Sequence, residues 1–347
     1  MLINHDLKKA AIIKGDGVGP ELVNVVTNVL KACNTNVELI LCDAGSEYWE
    51  KYGGETYIPE VTDKIMMECD ACYKGPTTTI PLAKAPRSVA VSTRQKFDLY
   101  TNIRPIKTYE RLSPNRSLDF VCFREATEGL YSGIEFNISD NAAIAIRKTT
   151  RKQCRKIIEV AFAWAKKHNI KKIIGITKRN ILKKTDGIFW SELEEIQKVN
   201  NDISIEEYYI DNMTQQLVKN PERFNNTILI STNLFMDIIS ECASGNIGSI
   251  GNVYSANIGD SYAMFEPAHG SVPKYKGMNK VNPTAAILSG AWMVEYLGET
   301  EIRNAIFKAT NDVINDGKYV TYDLGGNAKT SQMSIEISKK AQYNLRK

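Results

Sequence analysis

The sequence predicts an α/β protein with an open sheet, on three observations. Ala10 to Ile13 is a short apolar run that reads as a strand; the loop Gly15-Asp16-Gly17-Val18-Gly19-Pro20-Glu21 follows, and an apolar-periodic helix runs from Leu22 to Cys33. Strand, glycine loop and helix in that order start an open α/β sheet. Further short apolar runs alternate with helical patterns along the chain, and 347 residues are enough for two lobes with a substantial buried core. The glycine spacing, with Pro20 at the helix start, does not fit a dinucleotide-binding G-x-G-x-x-G fingerprint.

The other elements follow in order. Val37 to Cys42 is a second strand, and Ile65 to Tyr73 is a helix end leading into a third. Asp119 to Arg124 reads as a strand, and Gly133 to Lys148 is rich in alternating and β-branched residues. Thr150 to His168 is an amphipathic helix with Ile157, Ile158, Ala161, Phe162 and Ala165 on its apolar face. Lys171 to Thr177, Ser204 to Tyr209 and Thr227 to Ser231 are strands, and Ser255 to Asp260 precedes a short one. Helices are expected from Asn282 to Leu297 and from Glu301 to Ile314, with a turn at Asp323 to Ala328.

Composition narrows the function. Hydrophobic residues make up 43% and charged residues 24%, as in an ordinary soluble globular protein. The net charge of +4 is small for this length and no Lys/Arg run is interleaved with aromatics, so a small-molecule partner is expected and no nucleic acid. No apolar run is long enough for a bilayer, which predicts no membrane partner. The start, Met1 to Lys9, lacks the apolar core and cleavage site of a signal peptide, and the expected compartment is the cytoplasm. Seven scattered cysteines, including the pair Cys69 and Cys72, suit reduced thiols there.

The stretch from Pro86 to Ser132 carries Arg94, Arg104 and Arg124 in apolar or strand-like surroundings, where an unpaired guanidinium is costly to keep dry. Either each pairs with a nearby acid, or three converging forks hold a small di- or tricarboxylate. Asp237 and Glu241 stand four apart on a helical run, so both carboxylates share one face. They mark an exposed acidic face or a cation site, and hard oxygens select Mg²⁺ or Mn²⁺. Thr78 and Thr79, after Lys74-Gly75-Pro76, form either a polar turn or a ligand loop at a strand's carboxyl end. Lys178, at a strand end, reads alone as a solvated charge, and His269, one of three histidines, as a structural loop residue.

With the motifs Ser92-Thr93-Arg94, Asn102-Ile103-Arg104-Pro105 and Phe123-Arg124 to Tyr131, the chain resembles the decarboxylating 2-hydroxyacid dehydrogenases from about Ile12 to about Thr330. That is the family of isocitrate, 3-isopropylmalate and homoisocitrate dehydrogenases. The resemblance implies a two-lobed isocitrate/isopropylmalate dehydrogenase-like α/β fold with an open mixed sheet, helices on both faces and an intersubunit arm from Gly133 to Lys148. Residues 1–100 plus 252–347 would form the larger cofactor-binding lobe, and 101–251 the smaller lobe with the dimer interface and metal helix. By the same likeness Arg94, Arg104 and Arg124 clamp the substrate, Tyr131 is the catalytic acid, and Lys178 reaches into a partner's active site to handle the hydroxyl proton. Asp237 and Glu241 hold the metal with Asp211 from the other subunit of a homodimer with shared sites. Thr78, on the substrate side, and Thr79 border the nicotinamide ribose; Glu266, His269, Gly270, Ser271 and Asn282 serve the cofactor.

The substrate and cofactor follow from details of the match. Ser88, six residues before Arg94, stands where isocitrate enzymes carry a serine, but Ala90 replaces their asparagine. Isocitrate is the expected substrate, with homoisocitrate and 3-isopropylmalate as alternatives. Lys274, Tyr275 and Tyr322 resemble the residues of NADP-dependent members, so NADP is expected and NAD possible; Gly326 stands where some add an arginine. Ala126, Met236, Glu241 and Tyr254 depart from the family's asparagine, glycine, aspartate and proline. Those departures admit a regulatory, weakly catalytic subunit as a rival. A plain nucleotide-binding module would leave the arginines without a purpose.

Overall fold

Alternation along the first strand, β1 (Lys9–Ile13), gives the sheet its two apolar faces: Ala10 and Ile12 pack into one core cluster, Ala11 and Ile13 into another. The computed structural model describes residues 7–82, 84–113 and 117–347. After β1 come α1 (Gly19–Ala32), β2 (Glu38–Cys42), α2 (Ser46–Tyr52), α3 (Glu60–Glu68), β3 (Ala71–Lys74), α4 (Val89–Lys96), β4 (Thr101–Lys107) and β5 (Asp119–Glu125). A hairpin, β6 (Glu135–Ser139) and β7 (Ala142–Ala145), leads to α5 (Arg151–Lys167), β8 (Lys172–Thr177), α6 (Thr185–Lys198), β9 (Ser204–Tyr209), α7 (Ile210–Lys219) and β10 (Ile228–Ser231). The chain ends with α8 (Asn233–Ser244), β11 (Tyr254–Ile258), β12 (Ala263–Pro267), α9 (Thr284–Tyr296), α10 (Thr300–Asp316) and α11 (Thr330–Leu345).

Ten strands form one mixed sheet in the order β2-β1-β3-β12-β11-β4-β5-β10-β8-β9. Both outer portions are parallel, and the antiparallel strands β11 and β4 join them, so strand direction reverses across the middle. One pair of clusters draws on residues 10–99 and 256–341, the other on 103–253. On β5, Val121 and Phe123 pack against α5 and α6, whereas Phe120 and Cys122 lie in the cluster of α7 and α8. Period-two alternation therefore puts Arg124 on the α8 side.

Local chemistry sets the helices. Pro20 and Glu21 open α1 and Lys31 closes it, as fixed φ and the helix dipole favour. The Thr150 hydroxyl accepts from Gln153 N–H to cap α5, whose buried face holds the five residues expected of it. Helix α9 is buried nearly all round from Thr284 to Val294 and crosses α1, where Gly290 permits close approach.

The structure adds elements the sequence reading left out. Tyr254–Ile258 is a strand, disguised by Ser255 and Asn257, which are buried and hydrogen-bonded to Glu266. Helix α11 buries Met333, Ile337 and Ala341, and α6 buries Phe189, Trp190, Leu193 and Ile196, at helical spacings. The β6–β7 hairpin is exposed on both faces; Phe136 is 51% and Ile138 61% accessible. All seven cysteines are free thiols, six of them buried. Among the described residues, no helix is long and apolar enough to cross a membrane.

A methyl group at Gly290 would lie 2.4 Å from Val26 Cγ1, a stiff β-branched neighbour in the core. Gly290→Ala is expected to cost ~1–3 kcal/mol through overpacking, read as a lower urea midpoint at unchanged m-value.

Candidate active site

Strand pairing builds the site. Asn257 of β11 lies opposite Asn102 of β4, and Asn102 lies opposite Arg124 of β5, so three polar side chains stand in one row on one face. Arg104, two residues beyond Asn102, shares that face, as does Glu266, whose partner Ser255 is two residues before Asn257. Helix α4 brings Arg94 over the row, and α8 brings Asp237 and Glu241.

These residues form one continuous network, buried at Lys74, Glu266, the arginines and the amides and open toward Asp237 and Glu241. Glu266 accepts from Lys74 Nζ at 2.8 Å and from Arg94 Nη2 at 2.9 Å. Arg94 Nε donates to Asn257 Oδ1 at 2.8 Å, which also accepts from Asn102 Nδ2 at 3.0 Å. Asn102 Oδ1 accepts from Arg104 Nε at 2.9 Å, while Arg104 Nη1 donates to Ser240 Oγ at 2.9 Å and Glu241 Oε1 at 3.1 Å. Arg124 Nε donates to Asn233 Oδ1 at 2.9 Å, and its Nη1 pairs with Asp237, which also lies 3.6 Å from Arg104 Nη2. Tyr131 donates its hydroxyl to Asp237 Oδ2 at 2.5 Å, with the Arg124 guanidinium 4.9 Å from its ring centre. Arg94, Arg104, Arg124, Tyr131, Asp237 and Glu241 thus meet in one place.

Burial and charge oppose each other throughout. Burial, with Arg94 and Arg104 close by, pushes the Arg124 guanidinium down to about 10 against the pull of Asp237. Burial would raise Asp237, yet Arg124 and Arg104 hold its carboxyl below the usual range. Glu241 goes the other way: burial raises it, Arg104 opposes, and Asp237 adds to the rise. Burial also raises the Tyr131 phenol, opposed by Arg124, so the hydroxyl stays protonated at neutral pH. Glu266 is pulled well below its usual value by Lys74 and Arg94 although burial works against them.

Other expected residues lie elsewhere. Lys178 pairs with Asp211 at 2.7 Å, and among the described residues neither bonds to the arginine network. No three His, Cys, Asp or Glu among the described residues come together to hold a metal within one chain. Asp237 and Glu241, on successive turns of α8, nevertheless supply the oxygen chemistry that Mg²⁺ or Mn²⁺ takes. Ser88 caps α4, its hydroxyl accepting from Val91 N–H at 3.1 Å.

The loops after β1, β3 and β12 converge. Thr78 Oγ1 and Ser271 Oγ are 2.6 Å apart, Val18 N–H donates to Ser271 O, and Asp16 accepts from the backbone of Thr78, Ser46 and Glu47. Gly17, at φ +57°, comes so close that a Cβ would sit 2.1 Å from Ser271 O. Thr79 and Gly270 are exposed beside this contact. His269 Nδ1 faces Gly270 O, but its Nε2 is buried without a partner among the described residues, and burial lowers the ring's pKa. Asn282 bonds Asn252 and Asp323, next to Tyr322. The Tyr275 and Tyr322 rings meet edge to face at 6.1 Å; Lys274 lies 5.0 Å from the Tyr275 ring and Lys280 4.7 Å from that of Tyr322.

Sequence reasoning passed over Asn102, Asn257, Asn233, Lys74 and Lys280. Asn102 was detectable, since on a strand it shares a face with Arg104; the other amides depend on pairing between distant segments.

Comparison with known proteins adds identity to this geometry. Residues 9–337 match the family model described as isocitrate/isopropylmalate dehydrogenase. The chain is 38% identical to the 3-isopropylmalate/3-methylmalate dehydrogenase of Methanocaldococcus jannaschii over 97% of its own length and 99% of the relative's. It is also 38% identical to the homoisocitrate dehydrogenase of that organism, over 95% and 97% of the two lengths. The crystal structure of isocitrate dehydrogenase from Methylococcus capsulatus superposes with a TM-score of 0.92 at 38% identity, covering 96% of this chain and 99% of that one.

Asp237→Asn takes away the anion that Arg124 and Arg104 share, and is expected to cost ~1–3 kcal/mol at pH 7. A depressed carboxyl lends stability that is complete above its ordinary value of about 3.9 and fades as pH falls through and below it. Urea midpoints at pH 7 and pH 3.5 should therefore show the gap between the two proteins closing in acid; an equal gap would refute this origin.

Proposed function

The chain belongs to the isocitrate/isopropylmalate dehydrogenase family of oxidative decarboxylating dehydrogenases, and we propose that within it the protein converts isocitrate to 2-oxoglutarate with NADP and Mg²⁺ or Mn²⁺. The family depends in general on NAD(P) and a divalent metal, acts on small carboxylates and commonly forms dimers. The carrying observation is the charge of the network: four buried cations, Lys74, Arg94, Arg104 and Arg124, face three carboxylates, Glu266, Asp237 and Glu241. One positive charge is left over. A divalent cation would raise the surplus to three, which a tricarboxylate neutralises and a dicarboxylate does not. Ser88, at the end of α4 that leads to Arg94, offers a hydroxyl for the third carboxylate.

When bound, the metal would polarise the substrate's hydroxyl and adjacent carboxylate, and the nicotinamide would take the carbinol hydride. The remaining work falls to side chains. Arg94, Arg104 and Arg124 bind the substrate carboxylates, exchanging their present contacts with Asp237 and Glu241 for the ligand. Tyr131, held protonated beside Asp237, gives its proton to the carbon that CO₂ leaves. Lys178 takes the hydroxyl proton, and because it and Asp211 stand apart from their own chain's arginines, both serve the site of a second copy in a homodimer. Residues 1–100 with 252–347 act as the cofactor lobe and 101–251 as the lobe of the interface and α8.

The cofactor reading rests on two features. The unpaired His269 Nε2 suits an adenosine hydrogen-bonding group, and Lys274 and Lys280 over Tyr275 and Tyr322 suit a 2′-phosphate. A second substrate reading, 3-isopropylmalate, is favoured by the named activity of the first Methanocaldococcus jannaschii relative.

Turnover of isocitrate, homoisocitrate and 3-isopropylmalate with NAD and NADP should give the highest kcat/KM for isocitrate with NADP. EDTA should abolish it and Mg²⁺ or Mn²⁺ restore it. A maximum with 3-isopropylmalate would overturn the substrate, and no reduction of either cofactor would leave the regulatory-subunit reading. Tyr131→Phe should lower decarboxylation by roughly 10²-fold or more while sparing oxidation relatively. Lys274→Ala should raise KM for NADP roughly tenfold with NAD unaffected, about 1.4 kcal/mol of phosphate binding.

A further inference from the structure

Arg147 lies two residues beyond β7, where the exposed hairpin returns to the body, and its side chain is only 15% exposed. It reaches two other elements at once, α6 and the start of α8. Nη1 lies 2.7 Å from Asp186 Oδ1 in the first turn of α6 and donates to Thr185 Oγ1 at 3.2 Å. Nη2 donates to Thr232 Oγ1, the residue before α8, at 2.7 Å, and the guanidinium stands 4.7 Å from the ring centre of Phe235. Asp186, 1% exposed, spends its other oxygen on the backbone N–H of Lys178 at 2.6 Å.

An enclosed guanidinium with these partners is costly to build and fixes geometry more than it adds stability. The elements it joins are those that carry chemistry. Phe235 precedes Asp237 by two residues, and Asp186 fixes the backbone of the segment from which Lys178 points at Asp211. A hydrophobic side chain would fill the same space without linking Asp186 to Thr232.

We infer that Arg147 is a positioning residue: it ties the base of the hairpin to the Lys178 segment and to the start of α8, so that both hold catalytic register once the hairpin is seated on a second copy. The inference rests on the reading of Lys178 as a residue of a shared site. Arg147 itself touches no reacting atom.

The test uses the full-length protein. Arg147→Ala should lower kcat 10- to 100-fold with substrate KM within threefold and the oligomeric mass unchanged. Arg147→Lys, which can still pair with Asp186, should recover at least fivefold over the alanine variant, and Asp186→Asn should reproduce the kcat loss. Unchanged kcat in Arg147→Ala, a loss that only follows the folded or dimeric fraction, or a loss that Arg147→Lys does not relieve overturns the inference; if the alanine variant does not fold, the lysine and Asp186→Asn variants decide on the same criteria. Mixing Lys178→Ala with Asp237→Asn chains separates the two levels. Hybrids that regain activity uphold shared sites, so that normal turnover by Arg147→Ala then sinks the positioning role alone; hybrids that regain none remove the shared-site reading and this inference with it.

Discussion

Three guanidinium groups that repel one another sit within a single buried network, and the rest of the site is arranged to make that tolerable. Neutral amides do much of the work. Asn257 accepts from Arg94 and from Asn102, Asn102 accepts from Arg104, and Asn233 accepts from Arg124, so each arginine Nε has an uncharged acceptor fixed by strand pairing or by the first turn of a helix. The carboxylates then take the outward N–H groups. Glu266 is locked between Lys74 and Arg94, whereas Asp237 and Glu241 are more open and stand where a metal and an anionic ligand would compete for them. The fixed part holds the cluster together without ligand, and the exchangeable part leaves it able to bind one.

This division explains the opposite shifts on α8. Burial pushes both carboxyls up; Asp237, between two arginines and a phenol, is nevertheless held below the usual range, while Glu241, with one arginine and a neighbouring negative charge, stays raised. Two acids four residues apart on one helix face repel each other, and a cation between them would relieve that repulsion. Asp211 is turned instead toward Lys178, away from both.

Much of this was legible in the sequence because it depends on local spacing. The glycine loop after β1, the amphipathic α5, the acid pair on α8 and the arginine-bearing strand β5 each announce themselves within a short stretch, whereas β4 was not assigned although it carries Arg104. What was hidden depends on pairing between distant segments. Strand β11 escaped notice because Ser255 and Asn257 break the apolar pattern, and they are polar because they bind Glu266 and the arginines. Helices α6 and α11 carry readable periodicity in Phe189, Leu193 and Ile196 and in Met333, Ile337 and Ala341, so both belong with the locally legible elements. Arg147 and Asp186 carry no local signal at all; only the fold brings a residue after the hairpin to the start of α6.

The hairpin that leaves Phe136, Ile138 and Ile144 in water also bears on how catalysis scales with the amount of protein. If each working centre takes side chains from two chains, the catalyst is a bimolecular species, and a dilute solution is poorer in it than simple proportion predicts. Specific activity would then rise with enzyme concentration toward a plateau, with a midpoint that reports the dissociation constant of the pair, and an assay run far below that midpoint would mistake a dissociated enzyme for an inactive one.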